Sequence, residues 1–115
     1  MAVTNYASGT QTAVVGTEHT LSGVNVVGTF TFHVDTAAMV DGDILELRIY
    51  QIILTGGTSR VVYIASFYGT QVEGEVIKIS VPVSNELTED DALKFTLKQT
   101  FGTGRDFPWK VLKYA

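Results

Sequence analysis

The content of β-branched residues is the feature of this sequence that most restricts its fold. Val, Ile and Thr together account for 37 of the 115 residues. A side chain branched at Cβ loses rotamer freedom in a helix, whereas it packs well on the pleated surface of a sheet. Eleven glycines are available for turns between the β-rich runs. The sequence therefore predicts an all-β fold.

Chain length and the lack of cysteine restrict the class of protein further. A chain of 115 residues fits one domain that buries its core without covalent cross-links. Without cysteine, the chain has no disulfide, no thiolate zinc site and no cysteine nucleophile. The longest apolar run, residues 61–65, is far too short to cross a bilayer, and the start does not resemble a secretory signal. We expect folding in a reducing cytoplasm and no membrane partner.

Alternation of apolar and polar residues indicates where the strands lie. In residues 29–35, Phe30, Phe32 and Val34 share one face, and the polar residues between them share the other. Further strands, with turn residues between them, are predicted within residues 44–54, 60–68, 75–83, 93–98 and 107–114. Six or seven strands at this spacing indicate an antiparallel β-sandwich, with a jelly-roll-like arrangement.

The first 23 residues differ from the rest of the chain in composition and periodicity. Residues 1–23 are mostly Thr, Ala, Gly, Ser, Asn and Val, with weak periodicity and one aromatic residue, Tyr6. This composition predicts an extended N-terminal arm, or a loosely held first strand, that is mobile in the free protein. The sandwich domain is then expected to cover residues 24–115.

A hairpin is predicted around Gly56-Gly57, because two glycines tolerate the positive φ of a tight turn. A turn centred there pairs Tyr50 with Tyr63 and places both on one mixed face. Aromatic residues with Arg and little Lys are typical of protein interfaces, although such a cluster can also lie beneath a loop or a second sheet. The candidate interface residues are Tyr6, Arg48, Tyr50, Tyr63 and Phe67. The opposite face, expected to be core, contains Leu45, Leu47, Ile49, Ile53, Val62 and Ile64.

Charge is distributed unevenly along the chain. No Lys or Arg precedes Arg48, whereas five acidic residues do; residues 92–115 contain five basic residues and one acid. The two ends either neutralise each other within the fold or complement neighbouring copies in an array. A net charge of −4 with only eight basic residues argues against a nucleic-acid partner.

No residue pattern in the chain is typical of catalysis or of a cofactor site. His19 and His33 have no metal-ligand spacing, and Asp41-Gly42-Asp43 lacks the further ligands of a calcium loop, so a turn explains it better. Glu89-Asp90-Asp91 is read as a solvated loop, and residues 102–105 as a β-turn. We therefore expect no enzymatic activity, no metal and no cofactor.

One resemblance extends over most of the chain. The segment GTFTFHVDTAAMVDGDILELRIYQ (residues 28–51), followed by TGGTSRVVYIASF (residues 55–67), resembles head decoration (cement) proteins of tailed bacteriophages. The resemblance implies a jelly-roll or sandwich that binds an assembled capsid and bridges its subunits. It further implies the major capsid protein and other copies of the chain, as dimers or trimers, as partners. The expected location is the capsid exterior, after synthesis in the host bacterial cytoplasm.

A second function remains open from the sequence. A β-sandwich can also be a binding module for a carbohydrate or a receptor, as in a tail fibre. Such a module would present an exposed aromatic platform, for which Trp109, Tyr50, Tyr63 and Tyr68 are the available residues.

Overall fold

The computed structural model describes residues 2–114, and its regular secondary structure consists entirely of β-strands. The all-β prediction is therefore confirmed. Among these residues, no helix is long and apolar enough to cross a membrane. The strands are β1 (Val3–Thr12), β2 (Glu18–Val24), β3 (Gly28–Asp35), β4 (Ile44–Gln51), β5 (Arg60–Tyr68), β6 (Ile77–Ile79), β7 (Val83–Asn85), β8 (Leu93–Phe101) and β9 (Asp106–Tyr114).

The strands form two antiparallel sheets. The first sheet has the order β1-β9-β3-β6, and the short β7 pairs with the other end of β3. The second sheet has the order β2-β8-β4-β5. Because neighbours within a sheet are often distant in sequence, the chain passes repeatedly from one sheet to the other.

The two sheets pack against each other through one apolar core. Phe30, Phe32 and Val34 of β3 are buried, as their alternation predicted. The Phe32 ring meets Phe95 of the second sheet edge-on, with 5.4 Å between ring centroids and an interplanar angle of 64°. Such an aromatic pair contributes about 0.5–1.5 kcal/mol beyond its buried area. The architecture is therefore a β-sandwich-like pair of packed sheets.

Residues 1–23 were predicted as an extended arm or a loosely held first strand, but β1 and most of β2 lie within this segment and are paired in the two sheets. Strand β1 pairs with β9 from Val3, opposite Tyr114, to Thr12, opposite Asp106, and β2 pairs with β8. Tyr6 lies at a bulge in β1 and packs its ring edge-on against Phe30, 5.4 Å away. Bulges in both strands interrupt the alternation of two, which explains why the periodicity in the sequence is weak.

Limited proteolysis of the free protein tests how firmly these strands are held. Proteases require an unpaired, extended substrate, so we expect residues 3–24 to survive together with the core while the loop over residues 52–59 is cut first. Mass spectrometry of the early fragments provides the measurement. Preferential release of residues 1–23 would instead support the mobile arm.

Asp43 connects the turn before β4 to the turn before β9. Its buried carboxylate accepts hydrogen bonds from the Val40 amide at 3.0 Å, from Arg105 Nε at 2.9 Å and from the Thr103 amide at 3.3 Å. Gly102 leaves room for this carboxylate: its φ is +92°, and a Cβ there would lie 2.1 Å from Asp43 Oδ1. Asp41-Gly42-Asp43 is therefore a structural turn, and an acid from the first half of the chain is neutralised within the fold by a base from the second.

Burial of Asp43 alone would raise the pKa of its carboxyl, but the hydrogen bonds from Val40 and Arg105 outweigh burial and hold the pKa below its ordinary value of 3.8. A pKa lowered by folding stabilises the protein above the unfolded value, and that stabilisation is lost as the pH falls through the folded value.

Asp43→Asn should therefore lower the free energy of unfolding at pH 7 by about 2 kcal/mol, because it removes a buried carboxylate that bonds the half-buried Arg105 and two backbone amides. The gap between the variant and the wild type should narrow as the pH is lowered from 7 towards 2, as measured by chemical denaturation. Asp90→Asn, at an exposed position, is the matched control and should change little. If the difference in free energy of unfolding stays constant with pH, the ionised carboxylate of Asp43 is not the source of the stabilisation.

Candidate interaction surface

The outer face of the second sheet presents ordered polar side chains. Alternation along β4 buries Leu45, Leu47 and Ile49, so the residues between them point away from the core. Thr96 of β8 lies opposite Arg48, and Lys94 lies opposite Tyr50. We call the group on this face the Arg48–Tyr50 cluster, which comprises Glu18, Glu46, Arg48, Tyr50, Lys94 and Thr96.

Hydrogen bonds hold this cluster in one arrangement. Tyr50 Oη donates to Glu18 Oε2 at 2.6 Å, and Thr96 Oγ1 donates to the same oxygen at 2.7 Å. Arg48 Nη1 donates to Tyr50 Oη at 3.2 Å. Lys94 Nζ lies 4.7 Å from the centroid of the Tyr50 ring, within range of a cation–π interaction. Three strands, β2, β8 and β4, are thus connected across their outer surface.

The electrostatics of the cluster favour this bonding pattern. Burial raises the pKa of the Tyr50 hydroxyl, and its hydrogen bond to Glu18 raises it further. Burial alone would raise the pKa of Glu18, but the hydrogen bonds from Tyr50 and Thr96 lower it overall. At neutral pH an ionised carboxylate therefore accepts from a protonated phenol.

Glu46 and Arg48 form the ion pair of the cluster. Arg48 Nη2 lies 2.5 Å from Glu46 Oε1, which makes the two an ion pair. The contact is not aligned as a hydrogen bond, and among residues 2–114 neither that buried oxygen nor Arg48 Nε has a hydrogen-bond partner. Both atoms lie beneath the surface of the cluster, where the opposite charges of Glu46 and Arg48 compensate each other.

The hairpin between β4 and β5 differs from the predicted one in its turn and in its pairing. The Gly57 amide donates to the Leu54 carbonyl at 2.8 Å, and Gly56 has a φ of +78°. The turn is therefore centred on Thr55 and Gly56, one residue earlier than predicted. Moving the turn by one residue shifts the pairing by two and leaves every side chain on its predicted face.

A bulge in β5 then reverses the faces. Tyr50 pairs with Val61, but Ile49 pairs with Tyr63, so β5 contains one extra residue at this point. From Tyr63 onward each side chain of β5 lies on the face opposite to the predicted one. The predicted pairing of Tyr50 with Tyr63 is therefore wrong.

The bulge separates the residues that the sequence placed in one candidate interface. Arg48 and Tyr50 lie together on the outer face, whereas Tyr63 and Phe67 pack against the core from the inner face. Tyr6 also packs against the core, from the first sheet. Of the predicted core residues, Leu45, Leu47 and Ile49 are buried, whereas Ile53, Val62 and Ile64 are exposed.

Strand β5 is an uncovered edge of the second sheet. It is nine residues long, and Val62, Ile64 and Tyr68 expose 43%, 54% and 69% of their surface. No charged residue occurs between Val61 and Val72. Natural sheets usually protect their edges with charges, proline or short strands, so a long apolar edge indicates a surface that pairs with another chain.

A groove on the outside of the first sheet is the second surface feature. It encloses about 370 Å³ between His33, Asp35, Ile77, Trp109 and Lys110. His33 Nε2 shares a 2.8 Å hydrogen bond with the Thr31 hydroxyl, and burial, with the nearby Lys110 charge, lowers the pKa of His33. Polar and apolar side chains line the groove together. His33 bonds Thr31 and Asp35 bonds the Ala37 amide, so among the described residues these two do not bond each other.

The aromatic residues expected to form a binding platform are dispersed. Trp109 packs against the core, and its indole lies against Gly9, where an added Cβ would come within 3.4 Å of Nε1. Tyr63 also packs against the core. Tyr68, at the end of β5, is the exposed member of the set.

The other candidate residues take part in local structural contacts. His19 Nε2 accepts from the Val14 amide at 3.0 Å, Asp35 Oδ1 accepts from the Ala37 amide at 2.9 Å, and Glu89 accepts from the amide of the Gly56 turn. Within the part of the chain that the structure describes, no three His, Asp or Glu side chains are placed to hold a metal ion.

Comparisons with known proteins found no relative. No family model, no curated protein and no solved structure matches the chain. The strand order and the surfaces of the chain are therefore the features that bear on its function.

Because Tyr50 and Tyr63 lie on opposite faces of the sheet, replacing each one should change the free energy of unfolding by a different amount. Tyr63→Ser removes a ring packed on the core and should lower the free energy of unfolding by about 3 kcal/mol. Tyr50→Ser removes an outer-face ring and its hydrogen bonds, and should cost about 1 kcal/mol. Urea denaturation of both variants measures the difference. Equal effects of the two variants would instead support the predicted pairing, which placed both rings on one face.

Proposed function

We propose that this protein is a non-enzymatic structural component of a phage virion, which binds the exterior of an assembled capsid and bridges neighbouring subunits. Its partners would be the major capsid protein and other copies of the chain, and it would be made in the cytoplasm of the host bacterium. The observation that carries this proposal is the exposed apolar surface. Among residues 2–114, sixteen large apolar side chains are exposed, on a chain with only 17% charged residues. Several of these side chains lie along the β5 edge, and an exposed apolar patch of that kind marks a site that binds other proteins.

We further propose that the sandwich is a jelly roll. The support is the nesting of strand pairs: β1 with β9, β2 with β8, β3 with β6 and β7, and β4 with β5. Successive pairs alternate between the two sheets, which is the result of rolling up one long antiparallel hairpin. Double-sheet jelly rolls occur in viral capsid and lectin domains. The strand order therefore suits both a capsid component and the alternative of a binding module.

The Arg48–Tyr50 cluster suits a contact with another protein. Arg and Tyr are enriched in interfaces, and a cluster already held by hydrogen bonds loses little conformational freedom on binding. Each copy alone would offer a small contact, but repetition around a symmetric shell sums many modest contacts. In this proposal β1 contributes as a strand at the edge of the first sheet, where a free arm was expected.

The alternative function, binding of a carbohydrate or a receptor, is favoured by the groove on the first sheet. His33, Asp35 and Lys110 place polar groups beside Ile77 and Pro108 there, and a groove of about 370 Å³ is large enough for a small ligand. A glycan array with the purified chain tests this alternative directly.

Co-sedimentation with empty heads of the phage whose genome encodes the chain tests the main proposal. We expect saturable binding, together with a higher temperature of head disruption. Tyr50→Ser should reduce occupancy, because it dismantles the cluster without removing core. Lys110→Ser, on the outer side of the first sheet, is the matched control and should bind as the wild type does. Failure to bind heads at saturating concentration would overturn the proposal, and glycan binding in its place would establish the alternative.

A further inference from the structure

We propose that β5 pairs antiparallel with β5 of a second copy, across a two-fold axis at Ala65. Two four-stranded sheets would then join into one sheet of eight strands. This inference rests on the proposed function for its biological setting, since it names the surface that joins copies. The pairing itself depends only on the backbone and side chains of β5.

The hydrogen bonds of β4 show which backbone groups of β5 are free. The Ile52 amide donates to the Ala92 carbonyl at 3.0 Å, so even-numbered residues of β4 point their backbone groups towards β8. The odd-numbered residues therefore bond to β5, in agreement with the 2.8 Å bond from the Gly69 amide to the Asp43 carbonyl.

The backbone groups of β5 alternate in the same way as those of β4. Tyr63, Ala65 and Phe67 lie opposite odd-numbered residues of β4 and direct their backbone groups towards β4. Ile64 and Ser66 direct theirs towards the open side, and so does Tyr68 at the end of the strand. The edge therefore offers a regular row of free N–H and C=O groups, which is the template that an added strand requires.

The side chains along this edge complement themselves. With Ala65 on the two-fold axis, Ile64 lies opposite Ser66 of the second copy, and Tyr63 lies opposite Phe67. The small Ala65 lets the two strands approach at the axis, and aromatic pairs across strands are stabilising. No charge within the paired strands faces a like charge, because residues 61–72 are uncharged.

Other positions of the axis fit the structure less well. With the axis at Ile64, the paired stretch would include Arg60 and the bulge at Val61–Val62, where the alternation of hydrogen bonds is interrupted. An axis at Ser66 would place Thr70 opposite Val62, beyond Gly69, whose φ of +71° ends the strand. The axis at Ala65 is the one centred on the regular stretch from Tyr63 to Phe67.

The remaining edges are less suited to self-pairing. Strand β6 has three residues and is followed by Pro82. The bulge at Leu21 leaves β2 with two regular stretches of three residues each, and β1 carries small and polar side chains after its bulge at Tyr6 instead of large apolar ones. We therefore assign a second copy of the chain as the partner of β5. The strand is self-complementary, and it has no charge between Val61 and Val72 that would attract a charged partner.

Single cysteines test the position of the axis, since the chain has none of its own. In a non-hydrogen-bonded antiparallel pair the Cα atoms lie about 4.5 Å apart, within the range that a disulfide spans. Ala65→Cys should therefore form covalent dimers under mild oxidation, as seen on a non-reducing gel. Ile64→Cys and Ser66→Cys are matched controls that face other residues and should remain monomeric on the gel. Efficient cross-linking at position 64 or 66, but not at 65, would overturn the proposed axis.

Sedimentation velocity tests the dimer without cross-linking. We expect a reversible dimer of the wild type, and Ile64→Lys should weaken it by about tenfold or more, because charge on an edge opposes pairing. Ile79→Lys places the same charge at a comparably exposed position on β6 and should leave the dimer intact. A wild type that stays monomeric at about 1 mM, or equal effects of the two variants, would overturn the proposal.

The two proposals can fail separately. If the wild type dimerises through β5 but does not bind heads, the capsid function is wrong and the pairing stands. If a monomeric wild type binds heads and Ile64→Lys abolishes that binding, β5 pairs with a capsid strand, and the self-pairing is wrong.

Discussion

The packing of Phe32 against Phe95 is the contact on which the rest of the structure depends, because it joins the two sheets at the centre of their inner faces. Once the sheets face each other there, each regular strand must turn alternate side chains inward. The same requirement turns Arg48 and Tyr50 outward, between buried Leu47 and Ile49. The polar surface of the second sheet is thus a consequence of its core.

The nested pairing of strands also explains the uneven distribution of charge. Because the first half of the chain pairs with the second, acids that precede Arg48 meet bases that follow Ala92. Asp43 binds Arg105, and Glu18 lies opposite Lys98. Charge that is segregated along the sequence is therefore neutralised within the fold in the Asp43–Arg105 pair. The exposed edge of β5, by contrast, is uncharged from Val61 onward.

Local alternation was sufficient to predict the class of fold and the inward faces of β3 and of most of β4. Phe30, Phe32, Val34, Leu45 and Leu47 are buried where the period of two placed them. The arrangement of β5 could not be predicted in this way, because a bulge is decided by the joint fit of turn, neighbouring strand and core. One extra residue at Val62 reverses all later side chains. The bulges in β1 and β2 obscured those strands for the same reason.

The bulge in β5 changes how its aromatic residues can meet a partner. Had the predicted pairing held, Tyr63 and Phe67 would have projected from the flat outer face beside Tyr50, and a partner would have covered that face. Turned inward, they pack against the core at the margin of the sheet, where a strand added at the edge would lie beside them. In the proposed pairing of β5, Tyr63 and Phe67 therefore still belong to an interface. Contact would then come through extension of the sheet, with backbone hydrogen bonds providing the affinity and the aromatic pairs selecting the alignment.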